Sequence, residues 1–207
     1  MASVILQPWM IPSSIAPPVM PGLSLPAWAP RVAFRTFWRF VDVAGALWVG
    51  RDLNRLRVGL GLKPSRRVFR DWFSPELVIG MFPDWYGPPQ ADWPPQVRLA
   101  GFPLFDGEAR GNLPSGLLEF CRAGKQPIVF TFGTGMMHAA SLFASAVEVC
   151  RTLGARGILL TKYPNQLPRP LPPFVRPCEF ASFQALFPHC AVAVHHGGIG
   201  TTARALA

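Results

Sequence analysis

The 207-residue sequence has no apolar run of bilayer-spanning length, no CxxC pair and no acidic cluster at metal-ligand spacing, and it is short of acidic residues altogether. Each absence excludes something. The stretch Val41 to Gly50 is apolar apart from Asp42 but far shorter than the ~20 residues of a spanning helix. The N-terminus lacks a basic segment and Pro8 and Pro12 break its apolar run, so no secretory signal is predicted. Cysteines stand only at 121, 150, 178 and 190, which argues against a disulfide framework and predicts reduced thiols in a cytosolic protein. Without a carboxylate cluster, dependence on a divalent cation is not predicted. At 50% hydrophobic and 15% charged residues the chain is too apolar for disorder.

What is present is proline and positive charge. The 24 prolines are about twice the usual ~5% share and follow no period, so they enforce turns and exclude a collagen-like chain. The net charge of +9, from 20 Lys and Arg against 11 Asp and Glu, favours anionic partners: nucleotides, phosphates, nucleic acid or an acidic membrane surface.

The sequence predicts a short buried strand at Ser3-Val4-Ile5-Leu6, then a loop rich in proline and serine to Pro30. From Arg31 to Leu60 proline is absent and Phe34, Phe37, Trp38, Val41, Leu47 and Trp48 recur at helical spacing. This predicts one long or broken helix, with Gly45 and Gly50 as breaks and Gly59 and Gly61 as its close. Two apolar stretches, 77–79 and 97–100, flank the loop PDWYGPPQADWPP. The polar, glycine-bearing segment DGEARGN that follows begins a predicted linker, 106–114.

Beyond it the pattern is regular. A helix is expected at 115–122, a strand at 128–132, a helix at 138–153, a strand at 158–160, a short helix capped by Ser182 and stopped by Pro188, a buried strand at 191–194, and a helix from about Thr201. This βαβ rhythm predicts an α/β fold with a parallel, doubly wound sheet. The opening strand follows no strand–helix unit and the last helix stops after about two turns, so both domains are expected to be incomplete.

Two glycine turns follow strands and precede helices: Gly133-Thr134-Gly135, and HHGGIGTT at 195–202. In an open parallel sheet both lie at the carboxyl ends of strands, where ligands collect. Free N–H groups and the helix dipole suit such a turn to phosphate. Gly198 and Gly200 permit close approach, Thr201 and Thr202 can cap the helix and donate hydroxyls, and His196 can donate a ring N–H. An ordinary strand-to-helix turn explains the same spacing. A zinc site of Cys190, His195 and His196 is disfavoured because adjacent strand residues face opposite ways. His195 is expected to be a satisfied structural histidine.

HHGGIGTT, preceded by FASFQALFPHCAVAV, resembles the nucleotide-sugar signature of the family 1 and family 28 glycosyltransferases, which have two Rossmann-like domains in the GT-B fold. Bacterial members read near Y-A-P-F-S-Q-L-L-P, a strand, then H-H-G-G-x-G-T-T. VILQPWMIPS, FPDWYGPPQADWP and VRLAGFPLFD resemble the end of the acceptor domain in members acting on lipids, sterols, polyketides or rhamnolipid precursors.

The resemblance implies a GT-B-like chain of two incomplete, doubly wound domains: residues 1–105 the remainder of an acceptor-binding domain, 115–207 the first part of a donor-binding domain. It implies that His196, Gly198, Gly200, Thr201 and Thr202, with Gly133, Thr134 and Gly135, hold the donor diphosphate. Phe180 falls where an aromatic stacks on the base, and Phe183 where a main-chain group reads the base edge. Ser182 departs from the usual proline. The implied reaction is inverting transfer of a sugar from a UDP- or dTDP-sugar to a hydroxyl of a lipophilic acceptor, without a cofactor or metal. The family's base histidine and sugar-gripping Asp-Gln pair match no position here, so no catalytic residue is assigned and this chain alone is expected to be inactive.

Two other readings stay open. One is a nucleotide- or phosphate-binding module without chemistry. The other is nucleic-acid binding through Arg31, Arg35, Arg39, Arg51, Arg55 and Arg57, interleaved with Phe34, Phe37, Trp38 and Trp48. The same basic aromatic face suits peripheral contact with an anionic membrane, and the expected location is cytoplasmic, at the inner membrane face.

Overall fold

The computed structural model describes residues 1–20, 22–104 and 113–207, leaving out the side chain of Met20. The predicted linker, 106–114, lies outside the described residues apart from Leu113 and Pro114. The chain divides into two compact units, Met1–Pro103 and Leu104–Ala207. The expected α/β architecture is present as two small parallel sheets, one in each unit.

The first unit contains β1 (Ala2–Ile5), a hairpin of β2 (Val19–Met20) and β3 (Leu23–Ser24), α1 (Arg31–Trp48), α2 (Gly50–Gly59), β4 (Leu77–Gly80) and β5 (Val97–Leu99). Its parallel sheet runs β1-β4-β5. Ile5, Ile11, Val78 and Phe82 form its core, with Trp93 edge-on to Phe82. Loops rich in proline cannot build ladders, so side chains hold them. Asp92 accepts from the hydroxyls of Ser13 and Ser14, both at 2.8 Å, and from the Ser14 N–H at 2.5 Å. Desolvation pushes the Asp92 carboxyl up, but these hydrogen bonds outweigh it and hold the group below the usual carboxylate range. Asn54 clasps the backbone of Ser65 with both ends of its amide, at 2.6 and 2.9 Å.

The long predicted helix is divided at Val49, between α1 and α2. Gly45 does not break it. Phe69 packs so closely there that a Cβ on Gly45 would lie 2.5 Å from its ring. Phe34, Phe37 and Val41 are buried as the spacing predicts, whereas Leu47 and Trp48 are exposed at the end of α1.

The second unit contains α3 (Leu117–Arg122), β6 (Ile128–Thr131), α4 (Ala140–Leu153), β7 (Gly157–Leu160), β8 (Val175–Cys178), α5 (Phe183–Leu186), β9 (Val192–His195) and α6 (Ile199–Ala205). Its four strands are all parallel, in the order β8-β7-β6-β9. Strand side chains alternate between faces. Phe130 and Leu159 therefore pack with Phe143, Ala146, Val147 and Cys150 of α4, while Val129, Ile158 and Leu160 pack with Leu117, Cys121 and Leu186 of α3 and α5. Helices on both faces leave β7 buried throughout. Arg156 ties the sheet to the end of α3, bonding the carbonyls of Phe120, Cys121 and Lys125 and lying over the Phe120 ring.

Two expectations need correction here, and one strand was not expected at all. β9 is an edge strand and not buried, for Val192 and Val194 are 52% and 37% exposed. Those residues share the register face of Ile128 and Phe130, and α4 does not reach across to cover them. β8 had no sequence signal because Pro177 interrupts it, yet an edge strand tolerates a missing donor. Ser182 caps α5, accepting from the Ala185 N–H at 3.3 Å, but Pro188 does not end the turn. It is the second residue of a 3₁₀ turn, Phe187–His189, where its missing N–H costs nothing.

Candidate functional site

Register builds the site. β6 and β9 are adjacent and parallel with Thr131 opposite His195, so both glycine turns leave the sheet side by side. The imidazole of His196 lies between them. A Cβ on Gly133 would stand 2.6 Å from its Cε1, and one on Gly198 would stand 2.7 Å from its Nε2. No side chain larger than hydrogen fits at either glycine with the ring in place. Gly133 also has φ +88°, a conformation that disfavours any Cβ. Of the predicted residues, then, Gly133, His196 and Gly198 meet in one cluster.

The others are placed differently. Gly135 and Gly200 face open space, so no contact there requires glycine. Thr134 is exposed, and its carbonyl accepts from the Tyr163 hydroxyl at 3.2 Å. Thr201 and Thr202 do not cap α6, contrary to expectation. Thr201 is buried, and Thr202 turns its hydroxyl back to donate to the Gly198 carbonyl at 3.0 Å. The residue at the start of α6 is Gly198, which has no side chain to offer.

The β6 turn leads into α4, which carries no capping side chain at Ala139 and no acidic residue in its first turn. Its positive dipole end is thus left uncompensated by protein charge. Two residues that the sequence did not single out shape this turn. Tyr163 holds Thr134, as above, and the buried Gln166 donates to the Met136 carbonyl at 2.9 Å. Both follow β7, which pairs with β6 and brings their segment beside the turn. Lys162, exposed in the same segment, adds a cation over the Tyr163 ring at 5.1 Å.

His195 accepts the Gly197 N–H at Nδ1, 3.1 Å away. Desolvation, and then the neighbouring His196, hold its pKa below the ordinary histidine value, so the neutral ring that can accept this bond is favoured. That matches its expected structural role. Among the described residues no group of three or more His, Cys, Asp or Glu is placed to hold a metal ion. Cys121, Cys150 and Cys178 are buried and all four cysteines are free; burial, and then Cys121, push the Cys190 thiol up to about 12.

Phe180 follows β8 at the same edge of the sheet and is 61% exposed. Beside it an open cleft of about 320 Å³ is lined by Ser115, Arg176, Cys178 and Glu179 among others. Phe183 instead stacks on Phe187, with ring centres 4.7 Å apart, so its side chain is committed to packing. A larger open cleft of about 880 Å³, lined by Glu119, His189 and Arg204 among others, touches none of the predicted residues.

No protein-family profile matches the chain. It is 30% identical to the sterol 3-beta-glucosyltransferase UGT80A2 of Arabidopsis thaliana, over 96% of this chain and 31% of that protein. It is 27% identical to a sterol 3-beta-glucosyltransferase of Neosartorya fischeri, over 82% of this chain and 12% of that one. The solved glycosyltransferase of kitacinnamycin superposes with a TM-score of 0.56 at 19% identity, covering 85% of this chain and 46% of that structure. In sequence the chain is thus similar to sterol glucosyltransferases, and its fold matches part of a GT-B glycosyltransferase structure of the family 1 type. It spans less than half the length of each of these three relatives. No helix of the described residues is long and apolar enough to cross a membrane.

Proposed function

We propose that the turns after β6 and β9 hold the diphosphate of a nucleotide sugar, and that the protein carrying this chain transfers the sugar to a hydroxyl of a sterol-like or other lipophilic acceptor. The observation that carries this reading is the His196 imidazole lodged between Gly133 and Gly198 at the carboxyl edge of a parallel sheet. One ring shared by two glycine turns gives a small ring N–H donor next to bare backbone N–H groups, which suits phosphoryl oxygens. Gly135, Gly200, Thr134, Thr201 and Thr202 lie in the same two turn-to-helix segments, and the family resemblance assigns them to the diphosphate as well. Phe180, across β7 from it, takes the base, and the main chain at Phe183 reads the base edge. With strands ~4.8 Å apart, β8 and β6 are separated by about 10 Å, a span suited to a base and ribose.

In this scheme Leu104–Ala207 belongs to a doubly wound donor-binding domain and Met1–Pro103 to an acceptor-binding one. The acceptor hydroxyl, deprotonated by a base, attacks the anomeric carbon, and inversion follows from that single displacement. The nucleoside diphosphate departs with its developing charge held by backbone N–H groups and the His196 ring. Both uridine and thymidine diphosphates are compatible with it.

Calorimetric titration of the purified chain with UDP, dTDP and inorganic phosphate tests the reading. Saturable binding of one nucleoside diphosphate, tighter than inorganic phosphate, is expected. Absence of any nucleotide binding, or binding only of nucleic acid in a salt-sensitive manner, contradicts it. Nucleotide binding without sugar transfer in a protein that carries this chain would establish the module reading instead.

A further inference from the structure

Helix α1 has three sectors along its length. At about 100° per residue, the buried Phe34, Phe37, Val41 and Gly45 occupy one arc of about 80°. Val32, Thr36, Phe40, Val43 and Leu47 occupy a second arc of about 80° on the far side. Its four apolar members are 66%, 62%, 58% and 81% exposed in chain order. Between the two runs an exposed row of Arg31, Arg35 and Arg39. A folded helix needs one apolar face; the second has no partner among the described residues.

The charge around this face is one-sided. Residues 31–70 hold ten of the 20 Lys and Arg but two of the 11 Asp and Glu. Among the described residues no carboxylate pairs with Arg31, Arg35 or Arg39, whereas Arg55 is bridged to Asp52 at 3.5 Å. Trp28, just ahead of the helix, and Trp48, at its end, are 85% and 87% exposed, and tryptophan favours the boundary between water and lipid.

We propose that this side of α1 docks on an anionic lipid surface, with the helix lying in the plane of the interface. Val32, Phe40, Val43 and Leu47 enter the acyl boundary while Arg31, Arg35 and Arg39 meet headgroup phosphates. The charge decides the occupant. A second copy of the chain would set arginine rows of like sign near each other, and a nucleic acid would gain nothing from the apolar stripe. The proposal concerns the first unit alone and stands or falls independently of the diphosphate reading.

Co-sedimentation of the purified chain with vesicles tests it. Binding is expected to phosphatidylcholine vesicles that contain phosphatidylglycerol, to weaken as salt is raised, and to be marginal on phosphatidylcholine alone. Replacing all three arginines by glutamine should weaken binding on the order of a hundredfold. Phe40→Ser with Leu47→Ser should weaken it at least about tenfold. Quenching of tryptophan fluorescence by brominated anionic lipid checks insertion on the unaltered chain. No sedimentation, no quenching, equal binding to both vesicles, or undiminished binding by the folded serine variant overturns the proposal. So does a dimer that the serine variant abolishes, which would make a second copy the occupant.

Discussion

In Leu104–Ala207 each central strand is sandwiched, with neighbouring residues such as Ile158 and Leu159 serving two separate cores. Met1–Pro103 holds fifteen of the 24 prolines, and its loops are fastened by single polar side chains: Asp92 on Ser13 and Ser14, Asn54 on Ser65, and Ser3 on the Ser74 N–H at 2.8 Å. Alternating strand and helix lets apolar burial alone specify one unit. A proline-rich chain cannot use ladders that way, so its order depends on a few side-chain hooks. The second unit should therefore be most sensitive to lost volume and the first to lost hydrogen bonds.

The largest effect is expected at Leu159, fully buried between β7 and α4. Leu159→Ala should cost about 2–5 kcal/mol, read as a lower denaturant midpoint. A loss below about 1 kcal/mol would mean that this core is loosely packed. Next comes Asp92→Ala, which leaves two serines without their acceptor and should cost about 1–2 kcal/mol, moderated by the exposure of the carboxylate. Loop dynamics by hydrogen exchange should rise around Ser13 and Ser14; unchanged exchange would deny the hook its role.

Within the site the two residues flanking Thr134 separate sharply. Gly133→Ala meets both an unfavourable φ and the His196 ring, and should cost about 1–2 kcal/mol and displace the imidazole. Gly135→Ala meets open space and should change stability by about 0.5 kcal/mol or less. Equal effects would show that the close approach of His196 does not constrain the turn.

The smallest effect is the pH response of His195. Its pKa is depressed in the folded chain, so the unfolded chain binds the proton more readily. Stability from this ring is full above the ordinary histidine pKa of about 6.5 and falls away as pH drops below it. Protonation at Nδ1 also removes the acceptor for the Gly197 N–H. The thermal midpoint should fall between about pH 7.5 and 5.5, and His195→Asn, which can accept but not titrate, should fall less. An identical fall in that variant would assign the response to other groups.

How much of this was legible in the sequence follows from the same contrast. β6, β7 and the helix between them show in the sequence as a β-rich run, a 3.6-residue spacing and closing glycines, because burial on both sides writes a strong pattern. β8 did not, since Pro177 masks an edge strand, and the two-residue strands of the β2–β3 hairpin are too short to leave a period. Leu47 and Trp48 fit helical spacing, but spacing does not reveal where neighbouring packing ends. At the site the glycine turns were visible. The wedge of His196 between Gly133 and Gly198 was not, because it depends on which strands are neighbours. The same holds for Tyr163 and Gln166, whose bonds to the β6 turn arise from the pairing of β6 with β7.

The most direct test of the shared imidazole is calorimetry of nucleoside diphosphate on the unaltered chain and on His196→Ala, which leaves both glycine turns without their common ring. Affinity for UDP or dTDP should drop at least about tenfold, the equivalent of one charge-assisted hydrogen bond, while the weaker binding of the free nucleoside stays unchanged. Equal diphosphate affinity in the two proteins would place the ligand elsewhere and contradict the account.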